Sequence, residues 1–302
     1  MKSSSGLRFN CGQIFKNHAL PLSRKVRYVI DMCRSDSPRR ESNGTAKFLG
    51  FSIHYHQRES LLTLLEEIFV DSQYFIRIKK RNPLIFDVGS NIGLATLFFH
   101  MIYPESTIYC FEPDDEMFEY LKRNVEGNGL QNVVLTRSGL SRYSGKAQFY
   151  VPSWSSGSSS LYREKVEIQS RYARQCLGEE GISLRQKEVD VVKGSDFIIQ
   201  HDIHHIDLMK IDAEGAEAQI IEDISDVLDR IGFIVLEYHY AKDLVEKNSL
   251  VSIISFLEKA DFLVSVRPTW FTDQPDVMCT YLVKAVNGRY LNDYAFDSSG
   301  TF

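Results

Sequence analysis

The chain has 302 residues, 43% of them hydrophobic, enough for one large domain or for one domain with an added lobe. A formal net charge of -5 gives no general electrostatic reason to bind nucleic acid, so a polyanion is not the expected partner. No segment is apolar for long enough to span a bilayer, and Met1 to Arg8 holds no signal-peptide block, so a cytoplasmic protein is expected.

The five cysteines, Cys11, Cys33, Cys110, Cys176 and Cys279, lack Cys-x-x-Cys spacing, and their odd number argues for reduced, structural thiols. In chain order, a helix is expected around Ser23 to Cys33 and an exposed polar loop before Thr45. A strand over Lys47 to Tyr55 and a helix over Ser60 to Val70 follow. Residues 1–81 read as a lobe capping the core. From Pro83 the pattern alternates: strand to Gly89, helix to Ile102, strand Thr107 to Phe111, helix from Asp114 to about Asn128, strand Val133 to Thr136. Parallel strands joined by helices are implied over 82–302. An added strand is expected at Ala147 to Val151, then a flexible insert near 152–180. Its Ser-rich start is a linker or a lid, and Trp154 either folds over substrate or anchors the loop. Regularity returns with a buried strand Ile206 to Ile211, a helix through Ile224, and strand Phe233 to Leu236. A helix Val251 to Leu257 and strands Phe262 to Val266 and Met278 to Val286 complete the chain, the last two suiting an antiparallel pair.

The most informative stretch is Leu84 to Gly93, an apolar strand that ends in an acid and breaks into a glycine turn before a helix. Gly89 and Gly93 allow a tight turn and close approach of backbone to a ligand, and the helix behind turns free N–H groups toward it. A dinucleotide fingerprint wants a glycine where Asn91 stands, and Asp87 would repel a pyrophosphate while attracting the ammonium and sulfonium of S-adenosylmethionine. Glu112 closes the next strand, where an acid accepts hydrogen bonds from ribose hydroxyls; NAD enzymes use the same device. Taken singly, glycines make turns and acids cap helices. Their joint order favours a nucleotide-type cofactor.

Asp87, Glu112, Ser138, Asp212, Glu214, Glu237 and His239 all fall at carboxyl ends of expected strands, where open α/β sheets bind ligands. Asp212 and Glu214 suit orientation of the donor or acceptance of a proton; the plain alternative is a helix start decorated with acids. His239 lies two residues after Glu237, on the same side of an extended segment, which allows a base with its orienting acid or a satisfied edge histidine. Asp212, Glu237 and His239 also suit a hard divalent cation, but no ligand spacing demands one, so no metal is assigned.

Three segments in order then resemble the FkbM-type methyltransferases: Phe86-Asp87-Val88-Gly89-Ser90-Asn91-Ile92-Gly93, Phe111-Glu112-Pro113, and Lys210-Ile211-Asp212-Ala213-Glu214-Gly215-Ala216-Glu217. The last is similar to that family's Lys-Ile-Asp-Val-Glu-Gly-Ala-Glu signature, and Leu236-Glu237-Tyr238-His239 resembles its fifth-strand ending. The resemblance covers roughly Glu59 to Tyr240. Where the family often has Thr-Leu-Asp, this chain has Glu188-Val189-Asp190, keeping only the acid. The resemblance implies a class I, Rossmann-like, doubly wound α/β fold, mostly parallel, and S-adenosylmethionine as cofactor. It further implies donor contacts through Asp87, Gly89, Ser90, Asn91, Gly93, Glu112, Pro113, Ser138, Gly139, Asp212 and Glu214. The expected activity is O-methylation of a hydroxyl on a sugar, glycan or polyketide-like acceptor, with His239 and Asp212 as candidate catalytic groups. An NAD-type oxidoreductase and a non-catalytic donor-binding or partner-binding domain are the alternatives.

Overall fold

The structure is a computed structural model that describes residues 43–177, 181–271 and 278–296. The helix expected at Ser23 to Cys33 lies outside the described residues. The chain divides into two compact units, Met1–Phe75 and Ile76–Phe302, whereas the sequence suggests a boundary after Arg81.

In the first unit, Lys47 to Tyr55 is a hairpin, not the single strand expected. β1 (Gly44–Phe48) pairs antiparallel with β2 (Phe51–Tyr55). The turn uses Leu49 at φ 49° and Gly50 at φ 93°. Two residues with positive φ are what a tight two-residue hairpin requires, and apolar Leu49 disguises the turn in the sequence. α1 (Arg58–Leu65) runs on into a π-helical turn, Glu66–Val70, burying Leu61, Leu65, Ile68 and Phe69.

The second unit is built on seven strands: β3 (Leu84–Val88), β4 (Thr107–Phe111), β5 (Val133–Thr136), β9 (Leu208–Ile211), β10 (Phe233–Ala241), β11 (Phe262–Phe271) and β12 (Met278–Asn287). Their spatial order is β11-β12-β10-β9-β3-β4-β5. Pairings among β5, β4, β3, β9 and β10 are parallel, while β12 runs antiparallel to both β10 and β11. The chain begins this sheet in its middle, at β3, and winds outward both ways. β3 and β9 are therefore covered on both faces, which is why Ile85, Phe86, Val88, Leu208, Met209 and Ile211 are nearly all apolar and buried. Each phenylalanine fully sequestered here, such as Phe86 or Phe111, contributes roughly 1.5–3 kcal/mol.

Helices α2 (Leu94–Ile102), α3 (Asp115–Gly127), α6 (Glu217–Asp223) and α7 (Leu250–Lys259) belong to the same unit. A second sheet, of which the sequence suggests only the edge strand β7 (as Ala147 to Val151), has the order β6-β8-β7 over Gly139–Ser141, Leu184–Lys193 and Gly145–Pro152. β8 carries charged residues at half its positions and buries only Val189 and Val191, packed on Ala147 and Phe149, so its apolar signal is thin. Between β7 and β8 lies α4 (Arg163–Leu177), and after β8 comes α5 (Gly194–Gln200).

One boundary shift matters for chemistry. β10 does not stop at Leu236 but continues to Ala241, because antiparallel β12 keeps pairing with it, Glu237 to Leu282 and His239 to Thr280. Its parallel partner β9 ends at Ile211, opposite Leu236. Glu237 and His239 consequently overhang the carboxyl end of β9. No described helix is long and apolar enough to cross a membrane.

Candidate active site

The turn after β3 is fixed by backbone geometry. Gly89 and Ser90 N–H both donate to the Phe111 carbonyl at 3.0 Å, and Gly93 N–H donates to the Ser90 carbonyl at 2.8 Å. Gly89 has φ 74°, and a Cβ there would run into the carbonyl oxygen of Asp212. Asn91 takes φ 49°, a conformation that asparagine tolerates better than most residues, so it serves where a glycine would otherwise stand. Gly93, at φ 88°, starts α2 and lies against Leu121, while Asn124 Nδ2 donates to the Ile92 carbonyl at 2.8 Å.

Glu112 closes β4 with both carboxylate oxygens engaged: Oε2 accepts from Asn91 N–H and Oε1 from Asp114 N–H, each at 2.8 Å. Burial pushes its carboxyl up to about 7, with the neighbouring Asp114 charge adding to the shift and the two N–H groups opposing it. Asp114 caps α3 by accepting from Glu116 and Met117 N–H, and Lys187 holds its other oxygen at 2.7 Å.

A cavity of about 650 Å³, partly open to solvent, lies against this turn. Gly89, Asn91, Glu112, Pro113, Asp212 and Glu214 line it, and Leu140, Phe149 and Leu161 supply apolar surface. Gly139 also lines it. The donor set suits an adenosine-bearing cation: a carboxylate for ribose hydroxyls, apolar walls for a base, acids for a positive end.

Asp87, Ser90, Gly93 and Ser138 do not line the cavity. Asp87 is fully buried behind it, accepting from Thr96 Oγ1 at 2.6 Å with Lys210 Nζ at 3.3 Å. It was expected to face the donor's positive charge; instead it lies buried against Lys210, its register partner on β9, and Thr96 of α2, and so braces the turn. Lys210, also buried, donates to the carbonyls of Val88 at 3.1 Å and Gly89 at 2.6 Å and lies 3.6 Å from Asp212 Oδ2. Burial alone would lower its pKa, but Asp87 and Asp212 outweigh that and raise it. Ser90 Oγ donates to the Asp87 carbonyl at 2.7 Å, so its work is local too.

Beyond Asp212 the chain turns through Glu214 at φ 52° and Gly215 at φ 104°. Here the structure assembles a cluster around His239, which is 8% exposed. Glu217, wholly buried at the start of α6, meets His239 Nδ1 at 2.9 Å and accepts from Gly215 N–H at 2.9 Å and Asn248 Nδ2 at 2.6 Å. A carboxylate filled with donors in this way fixes the proton on Nδ1 and leaves Nε2 free to accept. The orienting acid is thus Glu217; Glu237, the candidate from sequence, lies 4.0 Å from Nε2. Nε2 also faces Glu214 Oε2 at 3.6 Å and Asp212 Oδ1 at 4.0 Å. Burial lowers the imidazole pKa, yet the Glu217 hydrogen bond and charge more than offset it, so the net direction is upward. Asp212, Glu214 and His239 each present an atom within 4.8 Å of the others, a spacing that a divalent ion could span. The cation in contact with Glu214 here is Lys165 of α4.

Sequence reasoning passed over Lys165, Lys210, Glu217 and Asn248 as site residues. Lys210 and Glu217 stood inside a quoted motif, and a buried lysine in an otherwise apolar strand was a readable signal. For Lys165 there was none.

The Ser-rich segment is held at several points. Tyr150 and Ser160 exchange backbone hydrogen bonds at 2.8 and 3.0 Å, and Ser160 Oγ donates to the Glu214 carbonyl at 2.6 Å. Ser156, Gly157 and Ser159 line the cavity. Trp154 Nε1 donates to Ser170 Oγ at 3.3 Å, which anchors the loop to α4. Cys110 is wholly buried and burial raises its thiol pKa far above the usual range, consistent with a structural thiol.

A doubly wound sheet with one antiparallel strand next to its edge, a glycine turn after its first strand and an acid after its second defines a class I, S-adenosylmethionine-dependent methyltransferase. The family model described as "Methyltransferase FkbM domain" matches residues 87–264. "Methyltransferase 1" of Beauveria bassiana is 30% identical over 227 residues, 74% of this chain and 88% of that protein. "31-O-demethyl-FK506 methyltransferase FkbM" of Streptomyces tacrolimicus is 29% identical, covering 58% of this chain and 74% of that one. "2-O-methyltransferase NoeI" of Sinorhizobium fredii is 27% identical, covering 56% and 68%. The chain belongs to the FkbM methyltransferase family, and the oxidoreductase and non-catalytic alternatives fall away. The matched region starts later than the resemblance in sequence and runs further, through α7 into β11.

Proposed function

We propose that this chain methylates a hydroxyl oxygen of a sugar, glycan or polyketide-like small molecule, with Glu112 holding the donor's ribose and His239 taking the acceptor's proton. S-adenosylmethionine supplies the methyl group as an electrophile on a sulfonium. The observation that carries the reading is a shared wall: Asp212 and Glu214 line the donor cavity and also face His239 Nε2. Donor and proton acceptor therefore adjoin one another, as in-line transfer requires. The relatives' names, a 31-O-demethyl-FK506 methyltransferase and a 2-O-methyltransferase, support an oxygen acceptor.

In this reading the chain's residues divide the work. Gly89 and Asn91 bring backbone close to the donor, and Leu140, Phe149 and Leu161 exclude water from its base. Glu217 holds His239 with Nε2 unprotonated, and Nε2 accepts the hydroxyl proton as the new carbon–oxygen bond forms. Asp212 stands beside it, placed to orient the acceptor or the donor's ammonium. Asp87, Ser90 and Gly93 serve by shaping the turn, and Pro113, Ser138 and Gly139 by shaping the base pocket. Residues 1–81 are proposed as a separate lobe, supported by the hairpin and helix having buried residues of their own. A cytoplasmic location is supported by the unpaired buried thiols Cys110 and Cys279.

The test is kinetic. With a hydroxyl acceptor found by screening glycosides and macrolides, His239→Gln should lower kcat about 10²–10⁴-fold while changing donor affinity little. A variant with kcat within threefold of the parent would remove His239 from the role.

A further inference from the structure

Lys165 has no part in the function proposed so far, yet it is one of the most deeply buried charged side chains, 1% exposed. It comes from α4, within the segment between the second sheet's strands, a place with no motif. Tyr162 and the Lys165 stem pack against Gly215, and Ser160 ties the same segment to the Glu214 carbonyl. The ammonium contacts Glu214 Oε2. That oxygen is also the atom 3.6 Å from His239 Nε2. Lysine and histidine thus reach one carboxylate oxygen from two elements far apart in the chain.

We propose that Lys165 is a positioning residue for the methyl-transfer reaction: its ammonium neutralises Glu214 and so lets His239 lose its proton and act as a base. The inference rests on the assignment of His239 as the base. The charges around that imidazole come from every side: Glu217 on α6, Asp212 and Glu214 on the loop after β9, Glu237 on β10 itself, and Lys165 on α4. Lys210 lies one step further out, 3.6 Å from Asp212, and Thr280 on β12 is uncharged. Four carboxylates against an imidazole favour imidazolium, a form with no lone pair to accept a proton. A second cation inside the ring of acids works the other way. Burial pulls Lys165 down to about 7 against the raising pull of Glu217, Asp212 and Glu237, and its charge lowers that of His239. Two groups competing for a proton near neutral pH titrate as a pair. The segment that covers the donor cavity would thereby also set the charge state of the base.

The test reads the imidazole directly, with no acceptor needed. The His239 ring signal is followed by proton–carbon NMR of the full chain from about pH 5 to 9, assigned by its loss in His239→Gln. Lys165→Met should raise the His239 midpoint by about one unit or more, a tenfold or greater gain in proton affinity. Glu214→Gln should move it the opposite way. Opposite shifts from two neighbouring substitutions are not what a merely structural role would give. A cooperative thermal unfolding transition and a backbone amide spectrum matching the parent's certify that each variant is folded. An unmoved midpoint in Lys165→Met, or shifts of the same sign in both variants, would overturn the proposal. Failure of the parent chain to bind S-adenosylhomocysteine would sink the functional reading instead, leaving the NMR result legible on its own.

Discussion

Glu217 does for His239 what no neighbour in sequence could, and the pair carries two predictions. Because Glu217 already accepts from Gly215 and Asn248, its remaining capacity goes to Nδ1–H, and the imidazole is held in one tautomer. Glu217→Gln substitutes an amide that can present an N–H to Nδ1 and so favours the other tautomer. Turnover should fall by at least about tenfold with donor affinity unchanged; equal turnover would contradict the orienting role. The pH dependence has a definite sign. His239 accepts a proton only when neutral and its pKa is raised above 6.5, so kcat should drop as pH falls through that raised value. A profile flat down to pH 6 would exclude it as the base. The sequence reading chose His239 and Asp212 from their places at strand ends and missed Glu217, which closes on the ring only once β10 overhangs β9. Asp87 shows the reverse case: its position and charge suited a donor contact, but it is buried against Lys210, its register partner on the adjacent strand β9.

At the scale of elements, Lys210 joins β9 to the glycine turn of β3. It is 2% exposed, and its ammonium satisfies the Val88 and Gly89 carbonyls as well as Asp87. Removing one partner of a buried pair leaves the other charge stranded, which costs about 3–5 kcal/mol. Lys210→Met should therefore lower unfolding free energy in urea by that order and weaken donor binding together with it. A loss under 1 kcal/mol would mean that Asp87 finds another partner. Element types in the central sheet were readable because parallel strands buried on both faces are continuous apolar runs. β6 and β8 were not, since β6 is only three residues long and β8 carries charged residues at half its positions with a thin core beneath it. The β1–β2 hairpin was missed for a different reason, an apolar leucine sitting in its turn.

Across the whole molecule the two ends of the central sheet do different work. At the amino end, Asp207 is buried and accepts from Leu84 N–H at 2.7 Å and Lys80 at 2.9 Å, while Tyr294 near the far end of the described chain donates to its carbonyl. Burial would raise its carboxyl pKa, but His205, Lys80 and Leu84 outweigh that and hold it below 3.8. A depressed carboxyl contributes stability above its unfolded value and loses it as pH falls through the folded one. Asp207→Asn should cost about 1–3 kcal/mol at pH 7, with the gap closing below about pH 4; a gap that persists at low pH would refute the charge argument. At the carboxyl end lies the donor cavity, and its fold-level position was legible from three motifs in order, while the roof from the 152–177 segment was not. Glu112 lines that cavity and is proposed to hold the donor's ribose there. Its carboxyl, raised to about 7, accepts ribose hydroxyls best when ionised, so donor affinity should weaken about tenfold from pH 8 to pH 6. The most direct test is calorimetric titration of the full chain with S-adenosylhomocysteine at those two pH values, with Glu112→Ala and NAD as controls. Saturable binding that weakens in acid, is lost or at least tenfold poorer in Glu112→Ala, and is absent for NAD is the expected result. Equal affinity in parent and variant, or a preference for NAD, would contradict the account.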